Sequence, residues 1–168
     1  MPTLIKRADG RFFAAEDVFV RLADEEATPP AGGVIVSLSR FHAEGERLLA
    51  DGRPVGVAVA PSEEVESLAY DLPRIALVVL EFAKFRDGRP YSSARILRER
   101  FGYAGEVRAV GDVLLEQAAF MVRCGFDAFV PADGTGAQAW ESAAHRYRYV
   151  YQSAADGRPP AYAERVLA

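Results

Sequence analysis

Short apolar runs alternate with longer mixed ones along most of this chain, and that alternation predicts its architecture. Residues 34–38, 55–60, 75–82, 107–110 and 127–130 are rich in Val, Ile and Phe. Such runs read as strands buried on both faces. Between them, residues 39–50, 62–70, 92–101 and 113–124 have helical length and character, and a longer helical stretch follows at 138–152. In 113–124 the stripe Val113, Leu114, Gln117, Ala118 and Met121 keeps Glu116 and Arg123 off the apolar face. Strand and helix in turn predict an α/β domain of about five mainly parallel strands joined by right-handed crossovers. An open three-layer sheet and part of a TIM-barrel-like barrel both satisfy this pattern.

The punctuation refines it. Ala8-Asp9-Gly10 separates two short apolar runs and predicts a small N-terminal β-hairpin. Residues 24–33 combine acids, two prolines and two glycines, so 1–33 reads as hairpin plus linker, 34–153 as the α/β domain and 154–168 as an irregular tail. Cys124-Gly125-Phe126-Asp127 reads as a helix stop leading into a strand. In the last helical stretch Trp140, Ala144, Tyr147 and Tyr151 fall at helical spacing, an aromatic face for the sheet or for a second subunit of a homo-oligomer. The string Asp-Gly-Arg-Pro occurs at Asp51, Asp87 and Asp156; its unequal intervals favour turn chemistry over a repeated module.

Composition narrows the function classes. The chain has 168 residues, 50% hydrophobic and 26% charged, which suits one ordinary domain. Twenty Lys and Arg against twenty-four Asp and Glu give a net charge of −4, which offers no general attraction to nucleic acid or to anionic membrane. The opening residues lack the apolar core of a secretory signal, and no apolar run approaches the roughly 20 residues of a membrane span. A cytoplasmic location is the expectation. One cysteine and two separated histidines, His42 and His145, provide no metal or iron–sulfur spacing. Asp133-Gly134-Thr135-Gly136 lacks the spacing of a dinucleotide fingerprint or a P-loop. Neither metal nor other cofactor is expected.

One stretch does suggest chemistry. Residues 82–95 leave the C-terminal end of the most hydrophobic predicted strand and enter a helix, the edge where parallel α/β folds gather ligands. Ser92 or Ser93 would cap that helix, while Lys84, Arg86, Arg89 and Arg95 bring positive charge toward its free N–H groups. The combination suits a small oxyanion such as sulfite, sulfate or phosphate. Asp87 and Glu99 are competing partners for the arginines. Asp112 follows the next strand and reads either as a helix N-cap or as a general base beside Lys84. Cys124 reads as structural, because a thiol at a helix C-terminus faces the negative end of the dipole, and the topology puts it near the opposite edge from Lys84 and Asp112.

The run from Phe82 through Tyr91 and Arg95 to Tyr103, then Gly105 to Leu114 and Arg123-Cys124-Gly125-Phe126-Asp127-Ala128-Phe129, resembles the bacterial DUF934 family. Members of that family are often labelled oxidoreductases involved in sulfite reduction. The resemblance implies work in sulfur assimilation beside a sulfite reductase, and it carries no established catalytic residues. Its motifs coincide with the strand-end loop and add Tyr91 to the candidates. The expectation is a protein accessory to or acting in sulfite reduction, with Asp112 and Lys84 as catalytic candidates. Arg86, Arg89, Tyr91, Ser92, Ser93 and Arg95 would hold the oxyanion, and electrons would come from elsewhere. The alternative is a non-catalytic partner docking on sulfite reductase through the basic loop and the aromatic face.

Overall fold

Asp9 and Gly10 both adopt left-handed backbone, with φ of 50° and 80°. A two-residue turn of that kind matches the twist of paired strands, and it joins β1 (Leu4–Ala8) to β2 (Arg11–Ala15) with Ala8 opposite Arg11. The predicted hairpin is therefore present. The computed structural model describes residues 3–29 and 31–165.

The hairpin extends a larger sheet. Its other strands are β3 (Phe19–Arg21), β4 (Gly33–Ser37), β5 (Val55–Val59), β6 (Leu77–Phe82), β7 (Glu106–Gly111) and β8 (Ala128–Phe129). The order is β2-β1-β8-β7-β6-β5-β4-β3, with every pair from β3 to β8 parallel and the hairpin antiparallel to β8. The sheet thus holds eight strands rather than five. β3, with only three residues, lies in the segment expected to be linker.

The helices are α1 (Leu38–Ala50), α2 (Arg89–Arg95), α3 (Ala118–Cys124), α4 (Ala137–Ala144) and α5 (Ala161–Glu164). Alternate strand residues set the two faces. Val57 and Val59, Val78, Leu80 and Phe82, and Val107 and Ala109 pack with helical residues Leu97, Met121 and Trp140 in the main core. Ile35, Ala58, Leu77 and Val79 form a second, smaller cluster whose cover is Phe19 and Val110, not a helix. Helices on one side of a curled sheet make a half-barrel, so the three-layer alternative is set aside.

Several helical expectations shorten for local reasons. Residues 62–70 form a 3₁₀ turn at Val65–Leu68, followed by another at Leu72–Arg74 containing Pro73; Val65, Leu68, Leu72 and Ile75 are buried. The stretch 113–124 opens with a 3₁₀ turn, Leu115–Gln117, before α3. Gly125 ends α3 at φ 100°, the left-handed stop expected there. The 138–152 stretch is helical only to Ala144. Trp140 and Ala144 are buried as expected, but Tyr147 and Tyr151 lie beyond the helix and are exposed, so the four do not form one face. The expected irregular tail carries α5 and buries Pro160.

Candidate functional site

The loop after β6 is held at Phe85. Its N–H donates to Asp112 Oδ2 at 2.8 Å, and its carbonyl accepts from Gln117 Nε2 at 2.8 Å. Asp112 N–H in turn donates to the Phe82 carbonyl at 2.9 Å. This close approach needs Gly111, since at its φ of 94° a Cβ would stand 2.3 Å from the Phe82 oxygen. Asp112 is accordingly not the helix N-cap: Leu114 occupies that position, its N–H donating to Gln117 Oε1 at 2.9 Å. The carboxylate of Asp112 fastens the loop that carries Lys84.

The start of α2 also differs from expectation. Arg89 and Pro90 open the helix, with Gly88 before them, because proline supplies the φ of a first turn and lacks an N–H that would go unpaired. Ser92 and Ser93 therefore lie inside the helix and cap nothing; Ser93 Oγ donates back to the Arg89 carbonyl at 3.3 Å. Asp87 Oδ1 accepts the Arg89 N–H at 3.1 Å, so one free amide predicted to face an anion is already used. The sequence signal was Asp87 two residues before Arg89-Pro90, an acid-capped turn entering a proline-led helix.

The basic side chains separate. Arg89 folds back on Asp87 with Nε at 2.9 Å and Nη2 at 2.6 Å from the two carboxylate oxygens, which holds that carboxyl below its usual range. Arg95 gives Nε and Nη2 to Glu99 at 2.9–3.1 Å. Lys84 and Arg86 project from the exposed loop and form no ion pair among the described residues. The single converging cluster foreseen from sequence is not what forms.

A smaller convergence does form between α2 and α3. Tyr91, Ser92 and Arg95 line a groove of about 550 Å³ opposite Phe120, Arg123 and Cys124. Tyr91 packs on Phe82 and Phe120 with ring centroids 5.1 and 4.8 Å apart, and burial pushes its phenol up to about 12. Cys124 is buried, and burial pushes its thiol up to about 11 although the charges of Arg95 and Arg123 pull the other way. It shares this groove with three residues of the candidate site, nearer than its place at a helix C-terminus suggested. α2 and α3 have only seven residues each, roughly 10 Å, so the two ends of each lie close.

The family model for bacterial proteins of unknown function, DUF934, matches residues 56–162. The chain belongs to that family. The DUF934 match runs from β5 into α5 and takes in the strand-end loop, the groove and Cys124. No curated protein matches the chain. Among the described residues no helix is long and apolar enough to cross a membrane, and no three His, Cys, Asp or Glu side chains gather as a metal site.

A pH-resolved alkylation follows from the thiol. With its pKa pushed up to about 11, roughly one Cys124 thiol in a thousand is ionised at pH 8. Iodoacetamide at pH 8 is expected to modify the folded protein at least about tenfold more slowly than the urea-unfolded chain. Equal rates would show an accessible, ionised thiol instead.

Proposed function

We propose that this DUF934 protein is accessory to sulfite reduction and binds a small oxyanion between the strand-end loop and the groove beside it. The resemblance to sulfite-associated family members supports the pathway. The observation that carries the binding reading is that Ser92, Arg95 and Arg123 line one groove; Arg95 is held by Glu99 and Arg123 by Asp156, so an oxyanion there would share those guanidiniums with the two carboxylates. Arginine forks match tetrahedral and planar oxyanions well. Lys84 and Arg86 raise the positive potential at the loop, and Arg89 stiffens its exit through Asp87. Asp112 is assigned a positioning role through Phe85, with proton transfer beside Lys84 as the further chemistry of this reading.

Calorimetric titration of the protein with sulfite, sulfate and phosphate tests it. Saturable binding is expected, weakened about tenfold or more by Arg95→Gln, since a charged hydrogen bond contributes on that scale. Arg86→Ala should weaken it less, and mainly at low salt. The second reading is docking on sulfite reductase. Phe85, Phe120 and Tyr151 are 46, 57 and 89% exposed beside the same basic residues, the composition of a contact surface. No anion binding, together with co-purification of the reductase, would replace the first reading with the second.

A further inference from the structure

We infer that a second cavity, on a neighbouring face of α3 and sharing Arg123 with the groove, binds a phosphate monoester carried on an apolar body. The cavity measures about 500 Å³. It lies between β1, α3, the end of α4 and the chain that follows. Arg7, Arg123, Arg148 and Arg158 line it, and Asp156 is the only acid that does so among the described residues. In a chain of net charge −4 this concentrates four guanidinium groups against one carboxylate.

That carboxylate is already committed. Asp156 accepts from Arg123 Nη1 at 3.2 Å and from the Arg158 N–H at 3.3 Å. Arg158 Nη2 donates to the carbonyls of Tyr147 and Arg148 at 3.0 and 2.7 Å, partners that carry no formal charge. Arg7 lines the cavity with no ion-pair partner among the described residues; its Nε is enclosed, so a ligand would meet the rest of the guanidinium. Three positive charges are left over, which suits a dianion better than a monoanion. Ala119, Val122, Ala144 and Val150 supply apolar lining. The volume falls within the roughly 300–1,000 Å³ of small-molecule pockets, so a bare oxyanion would leave most of it unfilled. An ester fits both halves of the site.

Phenyl phosphate is the probe, dianionic at pH 8 because its second pKa lies near 6. Calorimetry on the full chain is expected to give saturable binding, about tenfold or more tighter than inorganic phosphate, phenol or singly charged phenyl sulfate. Arg7→Gln and Arg158→Gln should each weaken it about tenfold with an unchanged circular dichroism spectrum. Arg95→Gln, in the other groove, should leave it unchanged, so failure here and failure of the oxyanion reading are distinguishable. Should Arg158→Gln unfold the segment whose carbonyls it holds, Arg7→Gln alone decides. Phenyl phosphate binding that is absent, no tighter than inorganic phosphate, or indifferent to Arg7→Gln overturns the inference.

Discussion

Replacing Arg98 with alanine is expected to remove about 2–4 kcal/mol of folding stability, the cost of taking the donor from a partly buried ion pair and three carbonyls. Arg98 lies in the π-turn Ile96–Arg100 that continues α2. Its side chain is 17% exposed and every nitrogen is engaged. Nε donates to the Gly125 carbonyl at 2.9 Å, Nη1 to the carbonyls of Tyr103 and Gly105, and Nη2 to Asp127 Oδ2 at 2.7 Å. Asp127 also accepts the Val107 N–H at 2.8 Å, so one guanidinium fastens the helix, the turn into β7 and the entry to β8. Alanine would leave a partly exposed carboxylate, 34% accessible, and three carbonyls without this donor. Urea unfolding should show the loss in the midpoint, and for a domain of this size the melting temperature should fall by on the order of 10 °C. Arg98→Lys should recover only a minor part, because an ammonium cannot reach three directions with a planar fork. A loss below about 1 kcal/mol for the alanine variant would mean that water replaces the guanidinium at little cost.

The strands were legible wherever burial on two faces left an uninterrupted apolar run. Ile75 to Phe82 and Val107 to Val110 both proved central, and Asp9-Gly10 and Gly125 were legible because their backbone requirement is nearly unique to those residue types. β3 was not, since Phe19-Val20-Arg21 is three residues long with two of them exposed, a pattern that many loops share. The tyrosine spacing misled for a related reason. Tyr147 and Tyr151 continue a helical period, but Arg158 satisfies the carbonyls of Tyr147 and Arg148 from outside, so that backbone needs no helix. At the candidate site the sequence located the loop and its charges. Their pairing was open: Asp87 and Glu99 were visible competitors, and which arginine each would take depends on where the helix begins. With the start at Arg89 rather than Ser92, Ser92 and Arg95 line the groove beside α3, and Lys84 and Arg86 stay outside its lining. The cavity around Arg7 and Arg158 joins residues about 150 positions apart and has no local signal.

The curl of the sheet leads to the second large effect. β2 and β3 sit on opposite edges of eight strands, yet only Glu16, Asp17 and Val18 connect them. Four residue steps reach at most about 14 Å, whereas the edges of a flat sheet of that order would stand roughly 33 Å apart at seven strand spacings. The connection is possible only across the concave face of a curled sheet, and Arg108 is what it meets there. That side chain is 2% exposed. Its Nη1 donates to Asp17 Oδ2 at 2.7 Å and its Nε to Glu106 Oε1 at 2.8 Å, while the guanidinium lies 5.8 Å from the Phe19 ring centroid. Lys6 Nζ holds the other Glu106 oxygen at 2.7 Å, tying in the hairpin as well. Arg108→Ala should therefore cost about 3–5 kcal/mol, combining an emptied volume with the lost charge partner of two carboxylates. Asp17→Ala should cost less, about 1–2 kcal/mol, because Asp17 is 40% exposed and Glu106 remains to pair with Arg108. Its more telling consequence is local: limited proteolysis should cut at residues 16–18 faster than in the parent, since the strap loses its side-chain hydrogen bond to Arg108 of β7. Unchanged cleavage in Asp17→Ala, with Arg108→Ala still strongly destabilised, would show that Phe19 packing alone holds the strap and that Arg108 acts through Glu106.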